Sequence, residues 1–455
     1  MDFSNFKENF EIMKLFSTLL ISTLFLFNSC TPELEPPVIQ SGDADFTRFV
    51  AIGDGYLAGY QDGALFKDAQ SRSISALVFS SMKQAGSGGF NQALMPDNSG
   101  LGISSKPWEG MYVTASQMGD RTDCEGVVSL GPVKTFHTVG SAQSYLDPVS
   151  ISSLDDFTFP FARMRDLLNS NFHTQNVFYN RVAASFGNVA VLNAALSRNP
   201  TFFMAWPGLE DIYQYARNGG RGVSILTASD FSMYLDSLLG PLSLAGADGV
   251  IATIPELDAF PYYTTIPWDI ADLNQEDADT STYIYANAGM THISFHVGKN
   301  GLVIEDAAAP FGYRQMIDGD YFTLTVPTDS MKCYYYGLIA NTIHDRYVLD
   351  TSEVSLINSR IVQFNNLIRQ KAAQYNLAVA DMNSYFNKVK TGVLSQGVLF
   401  TNEFARGGFF GLDGYYPTQK GAALIANQFI LAINSYYHSS LPTIRCEECN
   451  GVLFP

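Results

Sequence analysis

The sequence predicts an α/β fold, a sheet of parallel strands covered by helices on both faces, and three observations lead there. Short unbroken apolar runs rich in β-branched and aromatic residues recur along the chain, long segments repeat apolar residues at helical spacing, and the two kinds alternate. Runs without polar alternation suit strands buried on both faces. Alternation of such strands with helices suits a parallel sheet in one large domain, placed here at residues 46–455.

The strands expected, in order, are Phe49–Ile52, Val177–Tyr179, Phe202–Trp206, Val250–Ile254 and Leu377–Ala380. The clearest helix runs from Val354 to Tyr375, because Val354, Ile357, Ile361, Phe364 and Ile368 recur every three or four residues and make one apolar stripe. Asp350 with Glu353 three residues later forms a capping-box start. A second helix follows Pro417, a residue suited to a first helical turn, and continues to about Tyr437. Long insertions from Gly86 to Leu146 and from Ile266 to Asp345 are rich in Gly, Ser, Thr, Tyr and Asp, and are expected to cover one end of the sheet and shape a pocket.

An excess of 44 acidic over 27 basic residues gives a net charge of -17, which repels phosphate backbones and excludes nucleic acid as a partner. At the N-terminus Lys14 precedes thirteen uncharged residues, Leu15–Phe27, and then Asn28, Ser29 and Cys30. The run is too short to span a bilayer and has the parts of a secretory signal. Residues 1–29 are therefore expected to be a signal peptide of bacterial lipoprotein type, with Cys30 lipidated. Residues 30–45, rich in Pro and acidic groups, read as a flexible tether. This implies anchoring to the outer membrane through lipid on Cys30, with the cell surface favoured by the acidic Glu33 and Glu35. Cys446 and Cys449 lie close enough in sequence for a local disulfide, while Cys124 and Cys333 are open to pairing or to staying free. The six histidines make no metal-ligand pattern: His292 and His296 are four apart, but in a β-branched, aromatic stretch that reads as strand or loop. Neither metal nor cofactor is expected.

In open α/β sheets ligands sit beyond the carboxyl ends of the strands. There the chain reads FVAIGDGYLAGYQDGALF from Phe49, WPGLED from Trp206, ATIPELDAFPYYTT from Ala252 and LDGYYPTQKGAALIANQFILAIN from Leu412. These four blocks, in this order, resemble the SGNH/GDSL hydrolases, in particular their outer-membrane lipoprotein branch in Bacteroidetes-type bacteria. The resemblance extends from about Phe46 to the C-terminus. It implies a flavodoxin-like three-layer sandwich with a central parallel sheet and long insertions.

The same resemblance locates the catalytic positions, and they are altered. The nucleophilic Ser corresponds to Gly55, the base His to Tyr416, the oxyanion-hole Asn to Glu210 and the second-block Gly to Ser185. Only Asp413, which orients the His in the family, is kept. A Ser–His hydrolase needs a nucleophile, a base and an oxyanion donor. Glycine has no attacking atom, and a carboxylate at the oxyanion position has the wrong sign. The expectation is a pseudoenzyme: a binding or scaffold subunit at the outer membrane, beside a β-barrel complex in transport or assembly. Two alternatives are a glycan- or ligand-binding protein using an emptied cleft of Asp54, Gly55, Glu210, Asp413, Tyr415 and Tyr416, and an esterase with rearranged catalytic residues.

Overall fold

A computed structural model of the chain describes residues 38–104, 111–138, 141–151, 153–339 and 341–454. The signal segment, Cys30 and most of the tether lie outside the described residues. Residues 39–455 form one compact unit. Its centre is a five-stranded parallel sheet of β1 (Phe49–Gly53), β2 (Asp156–Thr158), β3 (Phe202–Ala205), β4 (Asp248–Ala252) and β5 (Ala378–Ala380). Across the sheet the order is β2-β1-β3-β4-β5. This is the 2-1-3-4-5 order of flavodoxin-like folds, and its direction reverses between β1 and β3.

Helices cover the sheet in two groups. In one, α1 (Ile74–Gln84) packs with the C-terminal helix (Gln419–Tyr437); in the other, Ala228–Leu244 packs with the 25-residue helix Thr351–Tyr375. Phe231 and Phe364 stack at 3.8 Å between the latter two. Asp350 caps the 25-residue helix by accepting from Ser352 and Glu353 N–H, and Glu353 returns a bond to Asp350 N–H, so the expected capping box is present.

Four of the five expected strands are found, and the fifth is corrected. Val177–Tyr179 begins a helix, Val177–Ala183, because the Asn176 side chain accepts from both Phe178 and Tyr179 N–H and fixes a helical start. The second strand is instead Asp156–Thr158, in which an acidic and a hydroxyl side chain flank Phe157 so that no apolar run forms, although all three are buried. Pro417 lies just ahead of the C-terminal helix rather than in its first turn, since Thr418 is the N-cap.

Residues 40–45, expected in the tether, belong to the folded body: Gln40 exchanges hydrogen bonds with Ser440, Asp43 N–H donates to Tyr437 O, and Ala44 is buried. The second insertion has its own apolar core, with Leu302, Val303, Ile304, Phe322 and Ile343 nearly inaccessible. Cys124 and Cys333 are disulfide-bonded and tie the first insertion to the second. The local Cys446–Cys449 disulfide is not formed: both thiols are free and buried, and Cys446 Sγ donates to Gln396 Oε1 at 3.0 Å. Among the described residues no helix is long and apolar enough to cross a membrane.

Replacing the cap by Asp350→Ala is expected to cost about 1 kcal/mol of stability, read from the denaturant midpoint.

Candidate functional site

The reversal of strand order puts the candidate site at the carboxyl ends of β1 and β3. After β1 the chain makes one helical turn, Gly55–Ala58, with Asp54 as N-cap accepting from Tyr56 N–H at 2.9 Å. Gly59 closes this turn in the left-handed region at φ 81°. After β3, Gly208 at φ 86° starts the helix Leu209–Arg217; a Cβ there would lie 2.7 Å from the Phe231 ring. The third contributor is the turn Asp413–Tyr416. Asp413 Oδ1 accepts from Tyr415 and Tyr416 N–H at 2.8 and 2.7 Å, and Oδ2 accepts from Gly63 N–H at 2.9 Å.

These elements bring together Asp54, Gly55, Glu210, Asp413, Tyr415 and Tyr416, as the sequence expects, but as packed interior. Asp54, Glu210, Tyr415 and Tyr416 are each only 1–3% exposed. The emptied cleft is therefore corrected: the Tyr416 ring occupies the space above Gly55, and a Cβ on Gly55 would lie 2.9 Å from Tyr416 Cε1 and 3.0 Å from its hydroxyl. Tyr416 OH donates to Glu210 Oε1 at 3.0 Å. Tyr56, under the same turn, donates to Tyr415 O. Asp413 lines an open hollow, a cavity of about 480 Å³ also bounded by Gly63, Tyr262 and Leu412.

Sequence reasoning missed the group that makes this arrangement tenable. Arg217 Nη2 donates to Glu210 Oε2 at 2.6 Å, and its guanidinium lies 4.5 Å from the centre of the Tyr415 ring. The signal was present: Arg217 follows Glu210 by seven residues on one helix, two turns along the same face. Ser185 is not brought to the site. Its hydroxyl accepts from Ile151 N–H and donates to Val149 O, and the residue that follows β2 beside Gly53 is Phe159. Asp211 also points elsewhere, accepting from Met164 N–H at 2.9 Å.

Burial, with the Glu210 charge second, pushes the Tyr416 phenol well above its ordinary range, so it supplies no phenolate base. Burial likewise raises the Asp54 carboxyl, reinforced by Glu210. Glycine at 55 offers no side-chain nucleophile, and a carboxylate such as Glu210 does not stabilise developing negative charge. Elsewhere, Glu305, His344 and Asp345 hold potential ligand atoms within 4.8 Å of one another. Asp345 Oδ2 is paired with Arg221, and His344 Nδ1 accepts from Arg346 N–H. His292 and His296 lie in a loop, each with a ring nitrogen on a backbone carbonyl.

Strand order and helix cover define a flavodoxin-like α/β fold with its switch-point site filled, and the four blocks that resemble SGNH/GDSL hydrolases lie at the carboxyl end of its sheet. No family model matches the sequence, and no curated protein matches it. Three solved structures are similar over most of their length: LAE5, an α/β hydrolase enzyme from the metagenome of Lake Arreo (11% identity, 86% of this chain and 96% of that one, TM-score 0.36); a putative GDSL-like lipase from Parabacteroides merdae (8%, 87% and 99%, TM-score 0.34); and a variant of Axe2, an acetyl-xylooligosaccharide esterase from Geobacillus (9%, 87% and 97%, TM-score 0.35).

Gly55→Ala is expected to destabilise by about 1–3 kcal/mol through overpacking against Tyr416. In a double-mutant cycle with Tyr416→Leu, which frees the space, the pair should cost less than the sum of the single changes. A second expectation concerns pH. Burial pushes the carboxyls of Asp62 and Asp211 up to about 7 and that of Asp156 to about 6. The folded state therefore retains protons that an unfolded aspartate releases near 3.9, roughly. This stabilisation is complete below the unfolded value and is lost as pH rises through the folded ones. The denaturant midpoint should fall between pH 5 and pH 8, and fall less in Asp211→Asn.

Proposed function

We propose that this chain is a non-catalytic SGNH-like lipoprotein, anchored to the outer membrane through lipid on Cys30 and facing the cell surface. It acts there as a binding or scaffold subunit of an outer-membrane β-barrel complex in transport or assembly. The observation that carries the non-catalytic reading is the Tyr416 ring in the volume where a nucleophile would stand, bonded to a buried Glu210. The membrane reading rests on the signal-like segment ending at Cys30 and on the apolar run before it. With residues from 40 onward bonded to the body, about nine residues separate that cysteine from the domain. At about 3.3–3.6 Å per residue they hold the body within roughly 30 Å of the bilayer.

The two alternatives, a glycan binder using the ancestral cleft and a hydrolase with rearranged residues, both need Asp54, Glu210 and Tyr416 to be reachable. Their burial argues against both.

Purified protein is expected to release no p-nitrophenol from p-nitrophenyl acetate above the uncatalysed rate, with or without Asp413→Ala. A mild-detergent pull-down of the lipidated chain from its own membranes should recover a β-barrel near one-to-one. Ester turnover that Asp413→Ala abolishes would establish a hydrolase, and recovery of the chain alone would remove the scaffold reading.

A further inference from the structure

The two insertions enclose a second hollow, formed apart from the filled site. One wall is the antiparallel hairpin of Gln117–Thr122 and Val128–Val133, in which Arg121 and Ser129 stand opposite each other. These two residues, with Ala271, Leu302, Met331 and Leu338 from the second insertion, border a cavity of about 430 Å³. That volume is in the range of small-molecule sites. The floor is apolar, since Leu302, Ala271 and Met331 are buried members of the second core. The rim is polar, with the hydroxyls of Thr122, Ser129 and Thr328 free of side-chain hydrogen bonds among the described residues.

The rim also carries a loosely engaged cation. The nearest carboxylate to the Arg121 guanidinium is Asp329 at 4.0 Å, and both side chains are about half exposed. Such a pair contributes little and exchanges readily. Lys332 on the same rim is committed, at 2.6 Å from Asp123 and 2.7 Å from Glu125. Arg121 is also placed: its stem crosses Gly131, where a Cβ would lie 2.9 Å from Arg121 Cδ. Arg121 and Thr328 border the cavity next to Asp413 as well, so the two hollows share these two residues. The Cys124–Cys333 disulfide holds the hairpin end against the second insertion.

We propose that this hollow binds a single-chain anionic amphiphile, an acyl chain ending in a carboxylate. The chain lies over Leu302 and Met331, and the carboxylate takes the place of Asp329 on Arg121, whose planar fork matches it with two parallel N–H···O bonds. The inference is independent of whether the ancestral site has lost catalysis.

The test is isothermal titration of decanoate, and separately of decanol, into the full chain in detergent-free buffer. Decanoate is expected to bind at one site. Arg121→Gln should weaken decanoate at least tenfold while leaving decanol unchanged. Gly131→Val, which displaces the Arg121 stem and leaves the apolar floor intact, should give the same selective loss, and Ser129→Trp should remove both ligands by filling the space. Circular dichroism of each variant verifies folding, and Arg121→Gln, on a half-exposed side chain, keeps the test decisive if the tryptophan variant does not fold. Absence of decanoate binding, equal effects of Arg121→Gln on the two ligands, or decanoate binding that survives Ser129→Trp in a folded protein would overturn the proposal.

Discussion

A carboxylate sealed at the carboxyl end of the sheet sets terms for everything around it. The Glu210 side chain has no solvent exposure, and holding an ion there costs several kcal/mol unless close partners replace the lost water. Arg217 answers one oxygen and Tyr416 the other. The guanidinium in turn needs a face to lie on and takes the Tyr415 ring. Tyr415 and Tyr416 are held in that turn by one oxygen of Asp413, whose other oxygen takes Gly63 N–H, so this carboxylate braces an aromatic plug. Gly55 completes the set, because only a residue without a side chain admits the Tyr416 ring. Gly55, Glu210, Asp413 and Tyr416, the residues that the resemblance sets at catalytic positions, therefore form one packing solution.

Much of this was legible in the sequence. β1, β3, β4 and β5 are continuous apolar runs, and such runs announce a doubly covered sheet. The helix after Asp350 combines a stripe with a cap, two signals that agree. β2 was hidden because Asp156-Phe157-Thr158 owes its place to side-chain bonds, Asp156 receiving Thr158 and Gln92, rather than to an apolar pattern. Val177–Tyr179 misled for the opposite reason: its apolar content is strand-like, but the Asn176 cap decides. At the site, the four motif blocks located the residues, while their burial depends on the shape of a ring against a missing Cβ, and no spacing rule encodes that. Arg217 was within reach of a charge argument along the helix face.

The second insertion shows how a large loop can be an architectural unit. Its core of Leu302, Val303, Ile304, Met316 and Phe322 is separate from that of the sheet, and it brings its own short antiparallel strand pairs. A segment that packs on itself can form walls without borrowing rigidity from the sheet. The hollow between the two insertions is consequently shaped by residues outside the central sheet and its helices.

The covalent bond between Cys124 and Cys333 spans 209 positions and encloses β2, β3 and β4 within a closed ring of chain. A protease that cuts one exposed loop inside that ring opens the circle but releases no fragment, and the sheet keeps all five of its strands on a single covalent molecule. The bond also imposes an order on maturation, because the ring cannot close until the second insertion has emerged into an oxidising compartment. The ring is a form of damage tolerance that a linear chain of the same fold would lack.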